Sequence, residues 1–329
     1  MQNILDDYAK TIDPRTSLFD VKIDPASDGI TKFSGRILDK SQLEELPRLF
    51  PSRQLDTASI RILNAETHEC VHVATNLTGL YERPTFGMPL SSELTYGTML
   101  EVLDEKDRWV FTRQSDGYLG WAYRPYLQEG NSPQEITHSI LAPAIEMREE
   151  PDNDSAILTR LMSGTIVSTQ ETQNGWSCVQ ANKTGWIPTS CLRALNDIPE
   201  DIDAKRKILI EDAIQMIGVP YLWGGTTGNG IDCSGFARLL HQWVGVILPR
   251  DADMQHRSAF HVEPPYEVGD LFFFGEGGSD RKVTHVGICL GGWKMIHSSR
   301  GRNGVYYDDL QERKSLMDIF VSAGSFLRQ

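Results

Sequence analysis

The chain is short of positive charge. Its 329 residues hold 32 Lys and Arg against 45 Asp and Glu, a formal net charge of -13 at pH 7. So acidic a surface repels polyanions, and nucleic acid, teichoic acid and anionic membrane are not expected as main partners. Long apolar runs are missing too. None approaches the roughly 20 residues a helix needs to cross a bilayer, so no membrane span is expected. The N-terminus, "MQNILDDYAK", has neither the basic nor the apolar stretch of a secretory leader as it stands. Cysteine is scarce and odd in number: Cys70, Cys178, Cys191, Cys233 and Cys289. An odd count in a large chain does not read as a disulfide framework, and there is no CxxC pair for a structural zinc site. Cys178 and Cys191 sit in strand-like surroundings and read as core residues.

A repeat is present. "YGTMLEVLDEKDRWVFTRQSDGYLGWAYRPYL" aligns with "SGTIVSTQETQNGWSCVQANKTGWIPTSCL". Gly97-Thr98 recurs as Gly164-Thr165 and Trp109 as Trp176 at the same spacing, while Gly120-Trp121 recurs two residues early as Gly185-Trp186. Short strands with polar turns at this spacing read as small β-barrels, at 61–128 and 138–196. Both copies resemble the bacterial SH3-like domain in their Arg83-Pro84 or Glu150-Pro151 start, Gly-Thr, mid-domain tryptophan and late Gly-Trp. A polar linker, about Gln128 to Thr137, joins them. In residues 1–60, "ILDDYAKTI" suggests a helix and "LFDVKID" and "ITKFSGRIL" alternate like strands. "DKSQLEELPRLF" suggests a capped helix from Asp39 or Ser41. This segment is expected to pack on the first barrel.

From Pro199 the composition changes and a third domain, 200–329, begins. Ile208, Leu209, Ile214 and Ile217 recur at near-helical spacing before Gly218. In "GIDCSGFARLLHQW", Phe236, Leu239, Leu240 and Val244 mark an amphipathic helix that begins at Cys233 and stops at Gly245. A thiol at a helix N-terminus is expected to have a lowered pKa, which favours the reactive thiolate. The glycines upstream, Gly224, Gly225, Gly228 and Gly230, let backbone approach a ligand closely. His241 is placed on the polar side of the helix as a structural residue, and His256 and His261 have no evident partner.

A cysteine nucleophile needs a base, and the base an orienting group. "VTHVGICLGGWKMIHSS" reads as a β-hairpin carrying His285 and His297. A two-residue loop, Gly291-Gly292, puts the histidines on opposite faces. A three-residue loop, Gly291 to Trp293, pairs Leu290 with Lys294, sets Gly287 opposite His297 and puts both histidines on one face. The shared face makes a Cys–His–His site. Zinc on Cys233, His285 and His297 would lack a close-spaced ligand pair, so no metal and no cofactor are expected.

"VPYLWGGTTGNGIDCSGFARLL", "PRDADMQ", "VGDLFFF" and "THVGICLGGWKMIHSS" resemble, in order and spacing, the motifs of the NlpC-type cell-wall cysteine peptidases, over about Asp203 to Arg328. The resemblance implies an α+β fold: a papain-like cysteine peptidase domain preceded by two small SH3-like β-barrels. It also implies Cys233 as nucleophile, His285 as general base and His297 as orienter. Val268 stands where the family commonly has proline, with no consequence for the chemistry. With its barrels, the whole chain resembles the γ-D-glutamyl-L-diamino acid endopeptidases, which cut murein peptides such as L-Ala-γ-D-Glu-diaminopimelate after D-Glu. In these the first barrel helps form the site and recognises a free N-terminal L-Ala. The carry-over makes Tyr221, Asp232, Ser234 and Asp251 substrate contacts and Tyr118 the tyrosine that closes over substrate. Glu82 becomes the partner of the α-ammonium, although Arg83 separates it from the proline that follows directly in the family. Rival readings are an amide hydrolase or acyltransferase of the same fold, and a wall-binding module with an inert peptidase domain. The intact Cys–His–His set and the acidic charge argue against the last. The missing leader and unpaired cysteines point to the cytoplasm and peptide recycling, with the periplasm or envelope as the alternative for a trimmed chain. The sequence leaves oligomeric state and the identity of the diamino acid open.

Overall fold

The computed structural model describes residues 1–25, 29–130, 136–276 and 282–328. Residues 131–135 of the expected linker lie outside these. Contacts divide the chain into two units. One comprises Met1–His72, Arg83–Thr85 and Met99–Asn131, the other Val73–Glu82, Phe86–Thr98 and Ser132–Gln329.

The first unit opens with helix α1 (Gln2–Ala9), strands β1 (Phe19–Ile23) and β2 (Thr31–Ile37), helix α2 (Lys40–Leu49) and strand β3 (Leu55–Ile62). β1 runs antiparallel to β2, and α2 provides the crossover that lets β3 join β2 in parallel. Asp39 is the N-cap of α2, and Gln42 Oε1 accepts the Leu38 and Asp39 N–H groups at 2.9 Å each. Leu5, Val21, Phe33, Ile37, Leu46 and Phe50 form a core of their own, so this segment is more than a covering for a barrel.

Seven strands follow: β4 (Glu69–Val73), β5 (Leu77–Tyr81), β6 (Leu90–Thr95), β7 (Met99–Lys106), β8 (Trp109–Gln114), β9 (Leu119–Tyr123) and β10 (Leu127–Glu129). In the first unit β10, β4, β7, β8 and β9 are neighbours in that order. Arg36 and Arg61 both pair with Asp104 of β7, the second at 3.0 Å. The β5–β6 hairpin belongs to the second unit.

In the second unit, strands β11 (His138–Ile140), β12 (Ala144–Arg148), β13 (Ile157–Met162), β14 (Ile166–Gln173), β15 (Trp176–Gln180), β16 (Thr184–Pro188) and β17 (Leu192–Ala194) follow. They form one sheet, in the order β13-β12-β16-β15-β14-β11-β17, around Ile140, Met147, Leu161, Val167, Val179 and Ile187. Cys178 is buried and Cys191 half-buried.

Next come α3 (Ile202–Gln215), the short ladder β18 (Thr226–Thr227) and β19 (Gly230–Ile231), α4 (Cys233–Trp243) and α5 (Ala252–Ser258). Strands β20 (Phe260–Val262), β21 (Leu271–Glu276), β22 (Lys282–Gly291), β23 (Lys294–Ser299) and β24 (Gly304–Asp309), helix α6 (Lys314–Met317) and strand β25 (Phe320–Ser325) complete the chain. The antiparallel sheet has the order β20-β25-β21-β22-β23-β24. Helix α4 packs on it through Phe236, Leu239, Leu240 and Val244, the four residues its periodicity marks, against Val286, Ile288 and Ile296.

Two expectations about helix faces need correction. α3 buries Leu209 and Ala213 with Arg206, while Ile214 and Ile217 are 42% and 39% exposed. The face turns because buried Arg206 bonds the Leu327 carbonyl at 2.9 Å and pairs with Asp270 at 3.4 Å. His241 is fully buried rather than on a polar side, and its Nδ1–H donates to the Ala237 carbonyl at 2.8 Å. His256 and His261 have partners in Ser322 and Glu263.

Candidate active site

The histidine hairpin resolves into a form between the two drawn from sequence. Gly291 pairs with Lys294, which leaves Gly292 and Trp293 as a two-residue turn, and Leu290 is an extra residue in a bulge. Gly291 and Gly292 take φ of +105° and +61°, which side chains disfavour. Beyond the bulge Cys289 faces Met295 and Ile288 faces Ile296, so Gly287 stands opposite His297, the register of the three-residue alternative. A Cβ on Gly287 would lie 3.2 Å from His297 Cβ. His285 and His297 therefore share a face.

Their rings meet. His285 Nε2 lies 2.7 Å from His297 Nδ1, and His297 Nε2 lies 2.9 Å from Asp308 Oδ2 on β24. The ionised carboxylate only accepts, so His297 donates from Nε2 and, when neutral, accepts at Nδ1. His285 then donates from Nε2, which leaves its Nδ1 lone pair to take a proton. Arg302 and Arg313 bind the other Asp308 oxygen at 2.6 and 3.2 Å. Burial would raise the Asp308 pKa, but the His297 hydrogen bond and the two guanidinium charges hold it below the ordinary carboxylate value. Asp308 was not identified from sequence. Its signal is the second hairpin, "IHSSRGRNGVYYDD", whose turn pairs His297 with Tyr306 and puts Asp308 two residues further along the same face.

Cys233 begins α4, and the Val286 N–H, adjacent to His285, acts on its sulfur together with the Ser234 N–H. The expected thiolate does not follow. Burial, and then the neighbouring Asp232 charge, push the thiol up to about 12, against the pull of those N–H groups and Arg250. Burial and the His297 ring push His285 down to about 3. Both shifts favour the uncharged forms, a neutral thiol at Cys233 and a neutral imidazole at His285.

The loop before Cys233 is tied to the helix by Asp232. Its carboxylate caps α4 at the Gly235 N–H (2.7 Å), accepts from the Gly224 N–H (2.9 Å) and pairs with Arg250 Nη2 (2.7 Å). Ser234 Oγ lies 3.2 Å from Asp232 Oδ1 and 3.1 Å from Arg250 Nη1. Both residues, expected as substrate contacts, are buried and engaged by the protein itself. Arg250 is 1% exposed, and Ser92 Oγ on β6 accepts from its Nε at 3.2 Å. Tyr221 is half-buried; burial first, then Cys233 and Asp232, raise its phenol pKa, while Arg300 opposes the shift. It is a neutral O–H donor in the electrostatic neighbourhood of the sulfur. Asp251 is the N-cap residue of α5, 4.0 Å from Arg250 Nη1. Glu82 is exposed immediately after β5. Tyr118 belongs to the first unit, buried in a turn where its N–H donates to Asp116 Oδ1 at 3.0 Å.

Among the described residues, no group of three His, Cys, Asp or Glu is arranged to hold a metal ion.

Comparison with known proteins gives the class. Residues 218–321 match the NlpC/P60 family, residues 143–193 the bacterial SH3 domain, and residues 80–122 the bacterial dipeptidyl-peptidase Sh3 domain. The chain thus carries an NlpC/P60 peptidase domain with two bacterial SH3 domains, and it is a hydrolase. Its relatives are more particular. Gamma-D-glutamyl-L-lysine dipeptidyl-peptidase of Bacillus cereus (strain ATCC 10987 / NRS 248) is 27% identical over 233 residues, 66% of this chain and 69% of its own length. Dipeptidyl-peptidase 6 of Lysinibacillus sphaericus is 27% identical over 257 residues, 73% of this chain and 91% of its own length. The crystal structure of an NlpC/P60 family protein from Bacillus cereus ATCC 10987 shares the fold, with a TM-score of 0.68 at 22% identity over 79% of this chain and all of that one.

Proposed function

We propose that the protein is a cysteine endopeptidase that cuts the γ-D-Glu-diamino acid bond of murein peptides with a free N-terminal L-Ala, in recycling of released peptides in the cytoplasm. The reading carries with it a papain-like catalytic domain and two SH3-like barrels at 61–128 and 138–196. The observation that carries it is the hydrogen-bonded line Asp308–His297–His285, which orients the His285 ring, while the N–H of the next residue, Val286, acts on the sulfur of helix-borne Cys233. In the proposed reaction His285 Nδ1 takes the Cys233 proton as the sulfur attacks the γ-carbonyl carbon of D-Glu. The C–N bond breaks, the proton passes to the leaving amine, and a thioester remains. Water hydrolyses it to L-Ala-D-Glu and restores the thiol. Tyr221 offers a neutral O–H donor, and the exposed guanidinium of Arg300, whose charge acts on Tyr221, suits an anionic peptide. The relatives' printed names support the bond assignment. The test is mass spectrometry of products from L-Ala-γ-D-Glu-diaminopimelate and its lysine counterpart, with intact sacculi in parallel. Wild type should release L-Ala-D-Glu from a free tripeptide, and Cys233→Ala should not. Cleavage at another bond, or undiminished cleavage by Cys233→Ala, would overturn the reading.

A further inference from the structure

The loop that delivers Cys233 is gripped by residues outside the NlpC/P60 match. On one side stands β6. Glu93 Oε2 accepts the Thr226 N–H at 2.8 Å and the Thr227 hydroxyl at 2.9 Å, and the Glu93 N–H donates to the Gly224 carbonyl at 3.1 Å. On the other side stands the turn after β13. Fully buried Ser163 Oγ accepts the Gly228 N–H at 2.7 Å, and Asn229 Nδ2 approaches Met162 Sδ at 3.0 Å. The glycines expected to admit a ligand are instead closed over by protein. A Cβ on Gly224 would fall 2.3 Å from the Leu90 carbonyl oxygen, and one on Gly228 would fall 2.3 Å from Pro143 Cα.

This grip reaches the nucleophile through few bonds. Gly224, held by β6, is bonded to Asp232, and Asp232 caps the helix that Cys233 begins. Arg250 joins Ser92 of β6 to Asp232 and Ser234, the two neighbours of Cys233 in the chain. A carboxylate drawn partly out of water is a poor choice for stability alone, since its desolvation must be offset by every bond it makes. Apolar contacts would hold a loop to a strand as firmly but with less directional control. Aimed donors and acceptors at Thr226, Thr227 and Gly228 fix where the backbone lies, which is what an attacking sulfur requires.

We propose that Glu93 and Ser163 are positioning residues that set the place of Cys233 by fixing the loop that carries it, so that two segments preceding the peptidase domain are working parts of its active site. The proposal rests on the reading of Cys233 as nucleophile. Its test uses the full chain with Glu93→Ala, Glu93→Gln and Ser163→Ala. Three quantities are measured: kcat and KM on the tripeptide, the rate of Cys233 alkylation by iodoacetamide at pH 8.5, and thermal unfolding. For variants still folded at the assay temperature, Glu93→Ala and Ser163→Ala should lower kcat by about ten- to a hundredfold with KM within about twofold. They should also change the alkylation rate severalfold. Glu93→Gln keeps an acceptor oxygen and should recover most of kcat. If Glu93→Ala is too unstable to assay, Ser163→Ala and Glu93→Gln decide: wild-type kcat and alkylation in folded Ser163→Ala, or a folded Glu93→Gln whose kcat falls about a hundredfold or more despite its acceptor oxygen, overturns the proposal. Alkylation needs no substrate. A wild type that fails to cut the tripeptide therefore counts against the proposed function, while the alkylation comparison still tests the grip.

Discussion

His297 stands between His285 and Asp308, 2.7 Å from one through Nδ1 and 2.9 Å from the other through Nε2. The carboxylate sets the direction of both bonds, because only an acceptor at Asp308 forces His297 to offer a lone pair to His285. Asp308→Asn tests this. Arg302 and Arg313 are donors and will turn the amide oxygen toward themselves, presenting the amide N–H₂ to His297. His297 then has to accept at Nε2 and donate at Nδ1, and the His285 tautomer reverses. We expect kcat to fall by about two orders of magnitude or more with little change in KM. Near-wild-type kcat in Asp308→Asn would remove Asp308 from the mechanism.

The thiol gives a second prediction. Cys233 is pushed up to about 12 by burial and Asp232, so the fraction of thiolate should keep growing well above neutral pH. In the free enzyme, alkylation by iodoacetamide should still be rising at pH 9, because the thiolate is the form that reacts. A rate that levels off below pH 7 would mean a thiolate stabilised at rest, as the helix position alone suggests.

Acid should weaken the fold through His241. Burial lowers its pKa to about 4 from the ordinary 6.5. Between those values the unfolded chain binds the proton that the folded one refuses, so stability rises with pH. The contribution is whole above pH 6.5 and is lost as pH falls toward 4. At full extent it is of order 3 kcal/mol. His241→Phe keeps a ring in the space and removes the titration. Urea midpoints of wild type and variant, taken at pH 8 and pH 4.5, should differ less for the variant. Equal pH dependence in the two would show that His241 is not the group responsible.

How far the sequence reached depended on the kind of signal. Helix α4 was legible because four buried apolar residues at helical spacing sit between an N-cap aspartate and a glycine at φ +76°. The shared face of His285 and His297 was legible as one of two registers, since strand alternation leaves only two. Their choice turned on the bulge at Leu290, a three-dimensional adjustment with no residue signature. Burial was the larger blind spot. The helix N-terminus argued for a thiolate, but desolvation depends on what covers the sulfur. α3 was misread on its isoleucines because a paired arginine occupies the buried face. Glu93 and Ser163 carry no motif, and their contact with the glycine loop lies 133 and 65 positions away in the chain.

Leu290 can be removed. Gly291 pairs with Lys294 and Cys289 with Met295, so deleting the extra residue between them closes the bulge and leaves β22 and β23 in the same register beyond it. His285 and His297 should still share a face, because the pairing that sets their alternation is untouched. We expect the deletion variant, like Leu290→Val, to retain measurable kcat on the tripeptide. Activity at background in a deletion variant that still folds would show that the face shared by the two histidines depends on the bulge itself.

The resemblance makes Tyr118 the tyrosine that closes over the substrate and Glu82 the partner of its free amine, and their surroundings dictate how each should be tested. Tyr118 is 5% exposed, so alanine there would cost packing in the first unit as well as any contact with substrate. Tyr118→Phe keeps the ring and removes only the hydroxyl. If that hydroxyl binds peptide, kcat/KM on L-Ala-γ-D-Glu-diaminopimelate should drop about tenfold or more, with thermal stability nearly unchanged. Glu82 is exposed, where an ion pair in open water is weak, so Glu82→Gln should cost about fivefold or less. N-acetylating the L-Ala removes the positive charge for every variant at once and should cost wild type more than either substitution alone. On the acetylated peptide, wild type and Glu82→Gln should then converge, because the carboxylate has lost its partner. A wild type that cuts free and acetylated tripeptide at equal rates would leave Glu82 without a role in substrate recognition, and wild-type kcat/KM in Tyr118→Phe would do the same for the Tyr118 hydroxyl.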